Sequence, residues 1–261
     1  MSRAFPYERG ALRTSAESSG VSAESFRMGT GRSRTSAGLF RARAVLIDLD
    51  GTLLDTVADL AAAVDAMLVE LGRAPVGEPA VRTYVGKGAR VLVRRALAGS
   101  LDAPFDDAAV DAAMPSFEHH YERENGSSAG LYPNVVEGLQ ALRRKGLRLA
   151  CVTNKPQDFA DALLERTGLA PFFSVTVGAG PGVARKPDPA PLLQACEQLG
   201  VEPVHAVAIG DSLNDVQAAH AAGMPVIVVP YGYNEGRAAS TLDADAHVAD
   251  LLQAAARIEV L

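Results

Sequence analysis

The sequence predicts an α/β fold: a Rossmann-like parallel sheet core with an all-helical cap domain inserted after the first strand. Three observations predict it. From residue 43 onward, strand-length apolar runs alternate with amphipathic helical patterns. A glycine follows each of these helical patterns, as it does where a helix ends on a left-handed residue. The stretch between the first two strong apolar runs, residues 51–146, greatly exceeds the about a dozen residues that one crossover helix requires.

The first run, 44–49, is almost continuously apolar, which suits a strand covered on both faces. Runs 147–152, 204–209 and 226–229 resemble it, and the shorter 174–177 lies among them. Helical periodicity fills 135–145, 158–167, 189–199 and 215–222, followed by Gly146, Gly168, Gly200 and Gly223. Inside the long insertion, residues 57–71 place Leu60, Val64, Met67, Leu68 and Leu71 on one helical face. Thr56 and Asp59 fit a capping box at its start, and Gly72 follows its end. Residues 91–98 and 108–124 predict two more helices. The core domain is therefore expected at 41–57 and 130–261, and the cap at 58–129.

Residues 1–40 carry six Arg, eight Ser and three Glu without helical or strand periodicity. Arg and Ser suit a transit peptide, but the glutamates and the missing amphipathic pattern oppose one. No apolar stretch suits a secretory signal. A disordered extension is expected, with Met28 as an alternative start. A formal charge of −6 gives no field that would draw in nucleic acid or an anionic membrane surface. No run reaches the ~18 apolar residues of a membrane span. Cys151 and Cys196 follow no metal or redox spacing and sit among apolar neighbours, as buried thiols of a reducing, cytoplasmic compartment do. A monomer or homodimer is expected.

Four segments carry chemistry, each just after a predicted strand, where ligands bind in open α/β sheets. Asp48-Leu49-Asp50-Gly51-Thr52 offers two carboxylates at strand spacing, a sharp turn and a hydroxyl. Thr153-Asn154-Lys155 offers a hydroxyl and backbone N–H groups suited to a phosphoryl oxygen. Lys186 is a cation in a loop stiffened by Pro187 and Pro189. Asp211 and Asp215, in Gly210-Asp211-Ser212-Leu213-Asn214-Asp215, add a second carboxylate pair suited to an oxygen-liganded metal. Alone, each is also an Asp-Gly turn, a helix cap or a solvated lysine. Their order along one sheet edge separates them from those plainer roles.

In that order the four segments resemble the motifs of the haloacid dehalogenase-like (HAD) hydrolases, over roughly residues 42–252. Within that superfamily the chain looks most like bacterial phosphoglycolate phosphatases, on segments 53–56, 85–89, 153–156, 186–189 and 231–234. The resemblance implies a phosphatase with Asp48 as nucleophile and Asp50 as general acid and base. It implies Mg²⁺ held by Asp48, Asp211 and the backbone carbonyl of Asp50, with Asp215 supporting the metal or Lys186. Thr153 and Lys186 would hold phosphoryl oxygens, with Gly51, Thr52 and Asn154 as further substrate contacts. The partner implied is a small phosphorylated metabolite.

Substrate choice is expected in the cap. Lys87 and Arg90 flank a flexible Gly86–Gly88 turn and suit a second anionic group such as the carboxylate of 2-phosphoglycolate; a solvated helix start is the alternative. A sugar-phosphate phosphatase or phosphomutase remains open. Asp50 disfavours a dehalogenase and a phosphonoacetaldehyde hydrolase. A non-catalytic phosphate-binding protein is disfavoured because Asp48, Asp50 and Lys186 are all present. The glycine-rich 178–183 lacks the last glycine of a dinucleotide fingerprint. His119 and His120 are adjacent on a predicted helix and do not face each other.

Overall fold

A computed structural model of the protein describes residues 38–261 except Ala103, Phe105 and Pro181, so nearly all of the expected N-terminal extension lies outside the described residues. Phe40 does not belong with it. It opens strand β1 (Phe40–Ala42), is 1% exposed, and packs into the core.

The chain continues through β2 (Ala44–Ile47), β3 (Leu54–Asp55), α1 (Val57–Glu70), α2 (Gly77–Tyr84), α3 (Ala89–Ala98) and α4 (Asp107–Glu124). It then forms β4 (Gly130–Leu131), α5 (Val135–Arg144), β5 (Arg148–Pro156), α6 (Gln157–Arg166), β6 (Val175–Ala179), α7 (Ala190–Leu199) and β7 (Ala206–Gly210). Last come α8 (Leu213–Ala221), β8 (Val226–Val228), β9 (Ala246–His247), α9 (Leu251–Ala256) and β10 (Ile258–Val260). The main sheet runs β6-β5-β2-β7-β8-β9, every pair parallel.

The continuous apolar runs are explained by cover on both faces. Val45 and Ile47 of β2 join Leu139, Leu163 and Leu251 on one side. Ala44 and Leu46 join Leu192, Ala195 and Val216 on the other. The glycines after α5, α6, α7 and α8 have φ between 64° and 82°, the left-handed turn expected of them. Cys151 and Cys196 are buried and free, one in each layer; burial pushes the Cys196 thiol up to about 11 and Cys151 well above its usual value. No helix among the described residues is long and apolar enough to cross a membrane.

β2 is central, and the chain builds outward from it first through β5 and β6, then through β7, β8 and β9. The carboxyl end of β2 is thus a switch point, where an open α/β sheet leaves a crevice. The helical insert opens next to it, between the antiparallel partners β3 and β4. Leu60, Val64, Met67 and Leu68 of α1 pack with Val81, Leu92, Val110, Phe117 and Tyr121 in a cluster of their own.

Further details differ from expectation. Leu71 is 43% exposed and leaves the apolar seam. Helix α2 was not predicted, because only Val81 and Tyr84 of its residues are buried and no long stripe results. The Thr56–Asp59 capping box does not form. Thr56 Oγ1 donates instead to Asp50 Oδ1 at 2.7 Å. Asp59 accepts from Gly126 N at 2.8 Å and Ser128 N at 2.7 Å, tying the two ends of the insert together. The amides of Thr56 and Val57 donate to the Tyr233 hydroxyl at 2.8 and 3.0 Å, so a core side chain satisfies the start of α1.

Candidate active site

The predicted residues converge at the carboxyl ends of β2, β5 and β7. Asp48 leaves β2 with its amide still bonded to Ile209 O at 3.0 Å. Its Oδ1 accepts from Lys186 Nζ at 2.6 Å. The same ammonium donates to Asp215 Oδ1 and to Val152 O, both at 2.7 Å, so all three of its protons are used. Asp215 in turn caps α8, its Oδ2 accepting from Ser212 N at 3.1 Å and Ser212 Oγ at 2.6 Å. Thr153 follows in β5, 4% exposed, facing the same cavity.

Asn154 and Thr52 were expected to touch substrate, and the structure gives both other work. Asn154 brackets the peptide of Lys186, accepting from its N–H and donating to its C=O, each at 2.8 Å. It also donates to Gly86 O at 3.0 Å, linking the lysine loop to the insert. Thr52 is fully buried and donates to Asp211 Oδ1 at 2.6 Å. Asp211 Oδ2 accepts from Tyr233 N, also at 2.6 Å. Two glycines make room for this carboxylate. A Cβ on Gly51, whose φ of +93° already excludes most residues, would lie 2.6 Å from Asp211 Oδ2, and one on Gly232 would lie 2.1 Å away.

Asp48, Asp211 and Asp215 each present an oxygen within 4.8 Å of the others. Against these three carboxylates stands one ammonium, from Lys186. Burial, joined by the charge of Asp215, pushes Asp48 up to about 7 despite Lys186. Burial, then Asp215 and Asp48, lift Asp211 well above the carboxylate range. A set of hard oxygens carrying surplus negative charge fits a divalent cation such as Mg²⁺. The side chain of Asp50 is not in this group.

Asp50 instead shares its Oδ1 between Thr56 Oγ1 and Lys155 Nζ, the latter at 3.0 Å. Lys155 also donates to the Tyr121 hydroxyl and lies 4.8 Å from the centre of that ring. Burial would lower the pKa of Lys155, but Asp50 and Tyr121 carry it well above the ordinary lysine value. Burial pushes the Tyr121 phenol up to about 12. The cavity over these residues holds about 60 Å³ and is walled on the insert side by Leu60, Leu92, Phe117 and Tyr121.

Over residues 42–223 the chain matches the haloacid dehalogenase-like hydrolases. It belongs to that family. A phosphoglycolate phosphatase of Nitrosospira multiformis is 48% identical over 217 residues, which are 83% of this chain and 96% of that protein. One of Thiobacillus denitrificans is 48% identical over 213 residues, 82% of this chain and 94% of its own. Among solved structures, a predicted phosphoglycolate phosphatase of Haemophilus somnus superposes with a TM-score of 0.75 at 32% identity, over 82% of this chain and 96% of that one. The chain is accordingly an enzyme of the phosphoric monoester hydrolase class.

In this HAD hydrolase Lys87 and Arg90, expected at the substrate, do not line the cavity. Arg90 turns along α3 toward α4, pairing with Asp107 at 2.8 Å and with Asp111. Lys87 pairs with Glu235 at 2.6 Å beside a neighbouring pocket, and Glu235 also meets the buried Arg95. Acidic partners close at hand hold both cations away. Conversely, Lys155 was passed over by sequence reasoning although its motif was noted. The available signal was a lysine three residues past the apolar run 147–152, next to a hydroxyl and an amide.

Proposed function

We propose that this hydrolase converts 2-phosphoglycolate to glycolate and inorganic phosphate through an aspartyl-phosphate on Asp48. The observation that carries the mechanism is the division of labour within each carboxylate at the β2 edge. Lys186 occupies Oδ1 of Asp48. Thr56 and Lys155 occupy Oδ1 of Asp50. Each therefore keeps Oδ2 for chemistry.

Asp48 Oδ2 attacks phosphorus, the bond from phosphorus to the ester oxygen breaks, and Asp50 gives its proton to the departing alkoxide. Asp50 then removes a proton from water, the water oxygen attacks phosphorus, and the bond to Asp48 breaks to release phosphate. Lys186 contributes charge at the phosphoryl oxygens and Thr153 a hydroxyl. Thr52 and the Tyr233 amide fix Asp211, while Asp215 fixes Lys186. Asp48, Asp211 and the Asp50 carbonyl would hold Mg²⁺, with Asp215 behind them. Bound there, the ion supplies positive charge that offsets the carboxylates and the phosphoryl oxygens. The helical insert serves as a cap that keeps water from the ester.

The names of the 48%-identical relatives support the substrate. A net charge of −6 offers nothing to nucleic acid or an anionic membrane surface. Two free buried cysteines suit the cytoplasm.

Phosphate release should be measured over 2-phosphoglycolate, neutral phosphomonoesters and hexose phosphates, with and without Mg²⁺. We expect 2-phosphoglycolate to lead the panel by about tenfold or more in kcat/KM, a difference of about 1.4 kcal/mol. Chelation of Mg²⁺ should reduce turnover to background. Hexose phosphates leading the panel would replace the substrate with a sugar phosphate.

A further inference from the structure

We infer that Lys155 and Tyr121 form the subsite for the carboxylate of the substrate, which rests on the reading that the substrate is 2-phosphoglycolate. Among the described residues that line the cavity, Lys155 and Lys186 are the cations. They do not play the same part. Lys186 has all three ammonium protons committed, to Asp48, Val152 O and Asp215. Lys155 has committed two, to Asp50 and Tyr121, and its third has no acceptor among the described residues.

Tyr121 is in the same position. Its hydroxyl oxygen accepts from Lys155, and its own proton has no acceptor among the described residues. Two unspent donors, one of them charged, therefore meet at one end of a cavity whose other walls include Leu60, Leu92 and Phe117. The pair is rigid. Lys155 is 5% exposed in β5, Tyr121 is 2% exposed in α4, and the Phe117 ring stacks on Tyr121 at 5.5 Å. Held geometry of this kind suits one small anion and lowers the entropy cost of binding it.

Lys186 pairs with Asp48, where phosphorus would be attacked, and Lys155 with Asp50, two residues along the same edge. 2-Phosphoglycolate likewise carries two anionic groups, separated by the ester oxygen and one methylene. An ester whose second group is neutral would leave the Lys155 and Tyr121 donors unpaired, which is an effective way to reject it. The contact also joins core to insert, since Lys155 belongs to one and Tyr121 to the other.

The test compares kcat/KM for 2-phosphoglycolate with that for 2-hydroxyethyl phosphate, in which a neutral hydroxymethyl group replaces the carboxylate. In Lys155→Met the ratio between the two should fall by about 10- to 100-fold, mostly through KM for 2-phosphoglycolate. Lys155→Arg should recover part of it, and Tyr121→Phe should lower it by a smaller factor. Inhibition by inorganic phosphate, which needs only the phosphoryl end, should stay within about twofold of wild type. Equal losses on both esters would leave Lys155 a positioning residue for Asp50 and exclude the carboxylate subsite. Collapse of the ratio in Lys87→Ala, with Lys155→Met unaffected, would exclude it as well. If Lys155→Met does not fold, an unchanged ratio in Tyr121→Phe overturns the pairing. A wild-type ratio near one would instead overturn the substrate reading, and the subsite with it.

Discussion

Asp48→Asn is expected to lower kcat by about 10⁴-fold or more while the protein stays folded. The amide keeps the size and shape of the side chain but lacks the nucleophilic oxygen anion. Its Oδ1 still accepts from Lys186, whose other two bonds, to Asp215 and Val152 O, do not involve residue 48. One buried like charge also disappears from beside Asp215 and Asp211. Inorganic phosphate should therefore bind at least as well as in wild type. Steady-state phosphate release and competition by inorganic phosphate measure the two halves separately. Activity within tenfold of wild type would remove Asp48 from the nucleophile's position.

Lys186→Met is expected to damage both stability and turnover. The ammonium is 4% exposed and lies within 2.7 Å of two carboxylates. Removing one partner of such a buried group leaves charge without compensation, which typically costs about 3–5 kcal/mol. For a chain of this size that corresponds to a fall in Tm of roughly 10 °C or more. Methionine keeps the length of the stem, so lost packing contributes little. Turnover should fall by about 10³-fold, because the fixed charge beside the phosphoryl oxygens is gone. If the three carboxylates hold Mg²⁺, saturating metal should raise the Tm of the variant by more than that of wild type. Calorimetry with and without Mg²⁺ checks this, and an unchanged Tm in the variant would contradict a charge-balanced core.

Much of this was legible in the sequence, for physical reasons that also mark where it stopped. The runs that became β2, β5 and β7 are almost continuously apolar because two helix layers cover them, and such runs are hard to mistake. Asp48 and Asp211 lie just past strand ends, Thr153 near the end of β5, and Lys186 and Asp215 in the loop and helix that follow β6 and β7, so topology delivers them to one edge. Partners at the level of single side chains were not legible. Thr56 and Asp59 have the residue types of a capping box, yet a half-buried Asp50 and the returning chain at Gly126 and Ser128 offered better bonds. Thr52 and Asn154 have polar groups that suit a ligand, but Asp211 and the Lys186 peptide claim them. Lys87 and Arg90 are drawn off by Glu235, Asp107 and Asp111, all distant in sequence from the turn that flagged them. Helix α2, β1, β9, α9 and β10 are short or sparsely apolar, and their order comes from packing that local periodicity does not encode.

The central claim is covalent capture of phosphorus by Asp48, and it is most directly tested by trapping. Enzyme mixed with 2-phosphoglycolate and Mg²⁺ should be quenched in acid within one turnover and digested at low pH. A phosphoryl group on the peptide that contains Asp48, absent in Asp48→Asn and converted to homoserine at residue 48 by borohydride, is the predicted result. Rapid release of phosphate with no phosphorylated Asp48 peptide at any quench time would contradict it, because water would then be attacking the ester directly.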